Sequence, residues 1–459
     1  MKKNMLYVVS IMMVLTMILT SCGAPAATTA APAPATQAPA TAAPATQAPA
    51  TQAPATQAPA TAAPAKAANP GLQMDTAKVA AQYFNEADYD QTAAVMKAQP
   101  LDPTDPVYLQ YTQSDPTDIT KYPQYAKFAA LKPPYNICFS NAGVNNPWRV
   151  VGYIDMREQV EQMRTAGLVK NFYHLDAAGN DAKQIADIQD IINTPGKCDI
   201  LIVASNTSDA LTPIVKKACA VMPVVQFDRY IEDDCPVVSE RPGGQQGGYA
   251  FGAQGAQFIV DTLGKAGGNV LALRILPGVD VLEQRWAAAR KIFEANPQIN
   301  VIGVEFVGYD SFKASTVLSD YLAKYGHIDG VWMDAGGTSV SILQSFKDAG
   351  DPYPKAMVGE DEEDYLQYWQ TNNLTAVAPS YDTFQWRTAV LASVMFLQGK
   401  TVQHHWYLPQ PYITQANLAQ MINPAMPPLH YAECGCEDMT NYPAAWQKPD
   451  INKYKDVMP

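Results

Sequence analysis

The sequence predicts an α/β protein of two similar halves, each a parallel sheet flanked by helices. Two observations carry this reading. From Tyr135 onward, short apolar runs of strand length alternate with amphipathic runs of helix length, the signature of parallel βα units. The alternation breaks at Pro242-Gly243-Gly244 and then begins again.

In the first half YNICFS (135–140) is the opening strand. The helix after it shows one apolar face, Gly152, Met156, Val160 and Met163, at spacings of four, four and three. A strand near 171–175 follows, then a helix marked by Ile185, Ile188 and Ile192. DILIVAS (199–205) is a buried strand, residues 208–220 return as a helix, and PVVQF (223–227) is the fourth strand. After the break come a helix over 247–263, strand 269–275, helix 283–295, strand 299–306 and helix 313–325. Strand 328–333, helix 338–349, strand 356–359, helix 362–370 and strand 375–379 complete the second half.

The N-terminal region is of another kind. Lys2 and Lys3 form a positive start, Leu6 to Leu19 are apolar except for Ser10 and Thr16, and small residues lead to Cys22. The apolar run falls short of the roughly 20 residues of a membrane span, and its flanks suit an export signal over 1–21. Leu19-Thr20-Ser21-Cys22 resembles the lipobox of bacterial lipoproteins, which implies lipidation at Cys22 and anchorage at the outer face of a cell membrane. From Gly23 to Asn69 the chain is almost wholly Ala, Pro, Thr and Gln in recurring units such as ATQAP. Such a composition cannot bury apolar surface, and its proline density favours extended conformations, so 22–69 reads as a lipidated, disordered tether. Residues 70–134, with a helical segment around 76–97 and a Pro- and Tyr-rich stretch after it, read as an N-terminal extension packed on the main body.

Composition narrows the function. A net charge of −12 without clustered Lys and Arg excludes nucleic acid as the partner, because phosphate neutralisation needs such clusters. There is no G-x-S-x-G elbow and no H-E-x-x-H, and only five histidines, so an exported hydrolase is a remote alternative. With Cys22 set aside, Cys198, Cys219, Cys235, Cys434 and Cys436 are candidates for disulfides in an oxidising compartment, whereas Cys138 falls within an apolar strand. No cofactor or metal is called for: His404-His405 reads as hinge or surface structure, and the acidic run 360–364 as a helix start.

In open parallel sheets ligands sit beyond the carboxyl ends of the strands. Those positions here hold Asn146, Trp148 and Arg149 after the first strand, Asp228 and Arg229 after PVVQF, and in the second half Arg285, Tyr309, Asp334 and Asp361. Carboxylates and guanidinium groups fix neighbouring hydroxyls, and aromatic faces cover C–H faces, so the set suits a small polyhydroxylated ligand.

Several segments resemble the type I periplasmic binding proteins of the ribose and galactose class, the sugar-binding components of ABC importers. They are SNAGVNNPWRVVGYIDMREQV, LIVASNTSDALTPIVKKA, PVVQFDRYI, VWMDAGGTSVSILQSFKDAG and MVGEDEEDYL, and the resemblance spans about 134–410. It implies a two-lobed clamshell with three hinge crossings, near 240–244, 377–381 and 402–410. Lobe 1 would comprise 135–242 with 380–404, lobe 2 would comprise 243–379 with 405–420, and 421–459 would be a C-terminal tail. It also implies ligand contact at Asn146, Trp148, Asp228, Arg229, Arg285, Tyr309 and Asp361. The expected partners are a sugar or related polyol and a membrane permease, with a receptor or kinase as the alternative to the permease, and the chain is expected to act as a monomer. Departures from the family pattern fall at Asp334-Ala335, at Ser380, and at Arg149, where the family has a second aromatic residue.

Overall fold

The computed structural model describes residues 69–74, 84–90, 122–231, 233–242, 248–402, 404–408 and 412–432. The signal segment, the tether, Cys22, Cys434 and Cys436 lie outside the described residues, as does most of the helix expected over 76–97.

The first lobe runs β1 (Tyr135–Asn141), α1 (Pro147–Thr165), β2 (Val169–Asp176), α2 (Asp181–Ile192), β3 (Ile200–Ala204), α3 (Ser208–Cys219), β4 (Val224–Gln226) and β5 (Val238–Pro242). The second runs α4 (Tyr249–Leu263), β6 (Gly268–Arg274), α5 (Asp280–Ala295), β7 (Ile299–Phe306), α6 (Ser311–Tyr325), β8 (Gly330–Met333), α7 (Ser339–Asp348), β9 (Ala356–Val358), α8 (Glu363–Asn372) and β10 (Ala376–Pro379). The chain then returns through α9 (Gln385–Leu397) and β11 (His405–Leu408) and crosses again to β12 (Tyr412–Ile413).

The two sheets repeat one topology. Their orders are β11-β5-β4-β3-β1-β2 and β12-β10-β9-β8-β6-β7, and every pairing is parallel except β10 with β12. Strand order reverses at β1/β3 in one sheet and at β6/β8 in the other, and a reversal opens a crevice at the carboxyl ends of the strands. The central strand β3, Ile-Leu-Ile-Val-Ala, is buried along its whole length, as a strand covered by helices on both faces must be. Helix α1 begins where Asn146 accepts from the Arg149 N–H at 2.9 Å and Pro147 takes the first helical position.

Helix α9 explains how the second lobe hands the chain back. It is buried almost all round, and its Trp386 wedges edge-on between Phe139 of β1 (5.6 Å) and Phe227 after β4 (5.1 Å). From β1 onward, the described elements thus switch lobes three times: between β5 and α4, between β10 and α9, and between β11 and β12.

Three boundaries differ from the sequence reading. Residues 405–408 belong to the first lobe, because β11 pairs in parallel with β5, His405 opposite Ser239, so the last crossing falls after Leu408. The stretch from 421 is not a separate tail as far as Ala432: Tyr431 is buried, bridges to Glu362 and donates its hydroxyl to that carboxylate at 3.0 Å. The extension is divided between the lobes. Asn69 accepts from the Val301 N–H at 3.1 Å and Leu72 joins the second-lobe core, whereas Tyr125 packs on Phe396 and donates to the Cys219 carbonyl of the first.

The disulfides also differ. Cys138 is paired, with Cys198, their Cα atoms 5.7 Å apart, and Cys219 is joined to Cys235. The apolar setting of Cys138 in β1 is no obstacle, because Cys198 lies two residues before β3, the strand that pairs in parallel with β1.

Candidate ligand-binding site

A cavity lies between the lobes, at the carboxyl ends of both sheets. The first lobe lines it with Asn146, Trp148, Arg149, Asp228 and Arg229; the second with Val279, Val281, Leu282, Arg285, Tyr309, Ala335, Glu360 and Tyr431; Tyr381 enters from the crossing before α9.

Each polar group is held from behind. Arg149, on the first turn of α1, meets Asp228 at 2.5 Å and donates to the Asn141 side chain at 3.2 Å. Burial pushes the Arg149 pKa down and the Asp228 carboxylate opposes that. Asp228 has φ +67°, a left-handed backbone that non-glycine residues adopt at a cost of roughly 1–3 kcal/mol, and such strain clusters at functional sites. Arg229 donates to the Asn206 carbonyl, and Arg285, projecting from α5, donates to the Asp334 carbonyl and stands 3.7 Å from Glu360. The Arg285 guanidinium also covers the rings of Phe251 (3.9 Å) and Tyr381 (4.5 Å).

The Nε groups of Arg229 and Arg285 are buried without a hydrogen-bond acceptor among the described residues. Arg229 Nε stands 3.8 Å from the Asp228 carboxylate, and the two arginines line one cavity from opposite lobes. Around them the lining presents three guanidinium groups, two carboxylates and the Tyr309 hydroxyl. Burial raises Glu360 to about 7, against the pull of Arg285 and a hydrogen bond from the Gly336 N–H at 2.9 Å. Trp148 forms part of the wall, its indole donating to the Tyr381 carbonyl at 2.6 Å and its ring tilted over the Tyr381 ring at 5.6 Å. Tyr381 in turn donates to the Asp228 carbonyl at 3.1 Å, and the Tyr230 N–H reaches across the lobes to Asp280 at 3.0 Å.

Seven of the nine residues singled out in the sequence thus meet at one cavity, and two do not reach it. Asp334 lies behind the wall, its carboxylate accepting from the Ile275 N–H at 2.8 Å and facing Arg274, with burial raising its pKa to about 7. Asp361 is buried away from the cavity, its carbonyl accepting from Ala432 at 2.9 Å, and the neighbouring Glu360 occupies the wall instead. The acidic run does open a helix, α8 beginning at Glu363, but it is largely buried: Glu360, Asp361, Glu362 and Glu363 are all inside. Sequence reasoning missed Glu360 and Tyr431, whereas Tyr381, with Ser380, was already visible as a position just after the strand at 375–379. Glu360 adjoins a strand end and was open to discovery there; Tyr431 carried no signal.

The family described as periplasmic binding protein domain matches residues 137–401, more than half of the chain, and the chain belongs to that family. The D-allose-binding periplasmic protein of Escherichia coli is 23% identical over 225 residues, covering 48% of this chain and 70% of that protein. The ribose import binding protein of the same organism is 24% identical over 208 residues, 45% of this chain and 66% of that protein. Among solved structures, an ABC transporter solute-binding protein from Thermobispora bispora matches with a TM-score of 0.58 at 22% identity, over 71% of this chain and 97% of its own. Another, from Bacillus halodurans and bound to myo-inositol, gives 0.56 at 16% identity, over 63% and 98%. At these identities the structural likeness speaks for the fold, a two-lobed α/β clamshell.

Proposed function

We propose that this chain is an extracytoplasmic solute-binding protein that closes on one small polyhydroxylated molecule, a sugar or cyclic polyol, and delivers it to an ABC importer. The observation that carries this reading is the pair of guanidinium groups, Arg229 on one lobe and Arg285 on the other, that line a single cavity. Arg149, Asp228 and Arg229 grip hydroxyls from the first lobe, Arg285, Tyr309 and Glu360 grip from the second, and Trp148 covers an apolar face. Contacts made by both lobes favour the closed state, because only that state has them all. Relatives named for allose and ribose, and a structural neighbour bound to myo-inositol, support this ligand class. The site is built to hold and release its ligand unchanged. A thermal-shift screen of the purified chain against pentoses, hexoses, inositols and nucleosides tests the reading, since a ligand of the folded state alone raises apparent stability. A rise of several degrees with one sugar or inositol is expected; no response to any of them contradicts it.

The export signal and lipobox support the further proposal that Cys22 carries a lipid and that the Ala-Pro-Thr-Gln segment gives the clamshell reach from the membrane. Among the described residues no helix is long and apolar enough to cross a membrane. Replacing Cys22 with Ala should move the protein from the membrane fraction to the soluble one, and full membrane retention would contradict the anchor.

A further inference from the structure

The cleft uses the carboxyl ends of the strands; at the opposite end of the first sheet a second group of side chains converges. Asp234 lies in the loop before β5, and His404 and His405 stand where β11 begins. The Nε2 atoms of both histidines lie 2.9 Å from the same Asp234 Oδ1, and the ligand atoms of all three residues lie within 4.8 Å of one another. We propose that Asp234, His404 and His405 bind a divalent transition-metal cation of the Zn²⁺ type, which ties the loop before β5 to the start of β11.

Several features of the geometry go beyond proximity. Side chains of successive strand residues point to opposite faces, so adjacent histidines in a regular strand diverge. Here His404 lies in a bend before β11 begins at His405, and the two rings stack at 4.6 Å and 29° with both Nε2 atoms turned to one carboxylate. The other nitrogen of His404, Nδ1, lies 3.3 Å from the Val237 carbonyl, which only accepts. With Nδ1 turned to that carbonyl, Nε2 is the nitrogen that can ligate, and both Nε2 atoms converge on one carboxylate, an arrangement that a shared cation satisfies. A metal-ligating histidine is commonly oriented in this way, its second nitrogen donating to a carbonyl.

Asp234 is itself held from both sides. Asp233 pairs with Lys216 at 2.6 Å, and Cys235 is tied to Cys219 by the disulfide. The loop therefore presents its carboxylate at a fixed place although that side chain is 72% exposed. Bonds of about 2.0–2.2 Å separate the ligand atoms of a zinc ion by roughly 3–3.5 Å, close to the 2.9 Å edges seen here, and three protein ligands leave a position for water. Two imidazoles with one carboxylate favour Zn²⁺ over Ca²⁺ or Mg²⁺, which prefer all-oxygen shells. The sequence hid this site, because Asp234 is about 170 residues from the histidines.

Calorimetric titration of the untagged full chain with Zn²⁺ alone, in a non-chelating buffer near neutral pH, decides it. The wild type is expected to bind one Zn²⁺ per chain, His404→Ala/His405→Ala to lose that binding, and Asp234→Asn to weaken it about tenfold or more. Asp234→Asn alters an exposed side chain and leaves both flanking ties in place, so it remains decisive if the double variant folds poorly. Failure of the wild type to bind Zn²⁺, or full affinity in Asp234→Asn and the double variant, overturns the proposal.

Discussion

Asp228 and Glu360 show what a single carboxylate does on each side of the cavity. Asp228 ends its strand in a left-handed conformation that Asn tolerates better than Ala, so Asn is the substitution that removes charge with the least backbone penalty. Glu360 titrates instead. With its folded pKa raised by burial to about 7 from an ordinary value of 4.5, the native state holds more protons than the unfolded chain between those limits. Stability accordingly falls as pH rises through that window and levels off above it. Glu360→Gln should flatten the fall, sparing on the order of 2–3 kcal/mol between pH 5 and pH 8. Urea unfolding at the two values measures it, and identical pH dependence in both proteins would contradict the assignment. Asp228 and Arg229 were legible in the sequence because they follow an apolar strand run, and Arg285 because it lies near the start of the helix after one. Which carboxylate of Glu360-Asp361 faces the cavity was not, since β9 has only three residues and the loop after it, not strand alternation, sets the parity.

At the scale of elements, Arg285 is placed by helix packing. A Cβ on Gly252 of α4 would overlap the backbone carbonyl of Arg285, so only glycine lets α4 lie this close to α5. In an exposed helix Gly→Ala stabilises by roughly 0.5–1 kcal/mol. Here Gly252→Ala should instead destabilise by about 1–3 kcal/mol and weaken ligand binding, because α5 must shift with Arg285 on it. Chemical denaturation and a ligand titration of the variant measure both, and an unchanged or raised stability would show that the packing is looser than described. The alternation of strands and helices was readable because buried parallel strands and amphipathic helices have distinct lengths and periods. Element ends moved by a few residues, as with α5, which starts at Asp280 and not at 283. Cys138 was misjudged for a similar reason: its partner is set by sheet register, which a linear reading does not contain.

For the whole molecule, two sheets of one topology bring their carboxyl ends together, and from β1 onward the described elements switch between them three times. The repeat after Pro242-Gly243-Gly244 made the two lobes visible in the sequence. The return of β11 to the first sheet and the arrival of Tyr431 at the cavity were invisible, because both depend on tertiary pairing across long chain separations. A ligand held by both lobes must lose affinity when either grip is removed, and charge-assisted hydrogen bonds contribute roughly 1.5–3 kcal/mol each. Isothermal titration calorimetry with the sugar or polyol that stabilises the chain tests this most directly. One ligand per wild-type chain is predicted, with affinity at least about tenfold weaker in Asp228→Asn, from the first lobe, and in Arg285→Ala, from the second. Wild-type affinity in both variants would contradict the account.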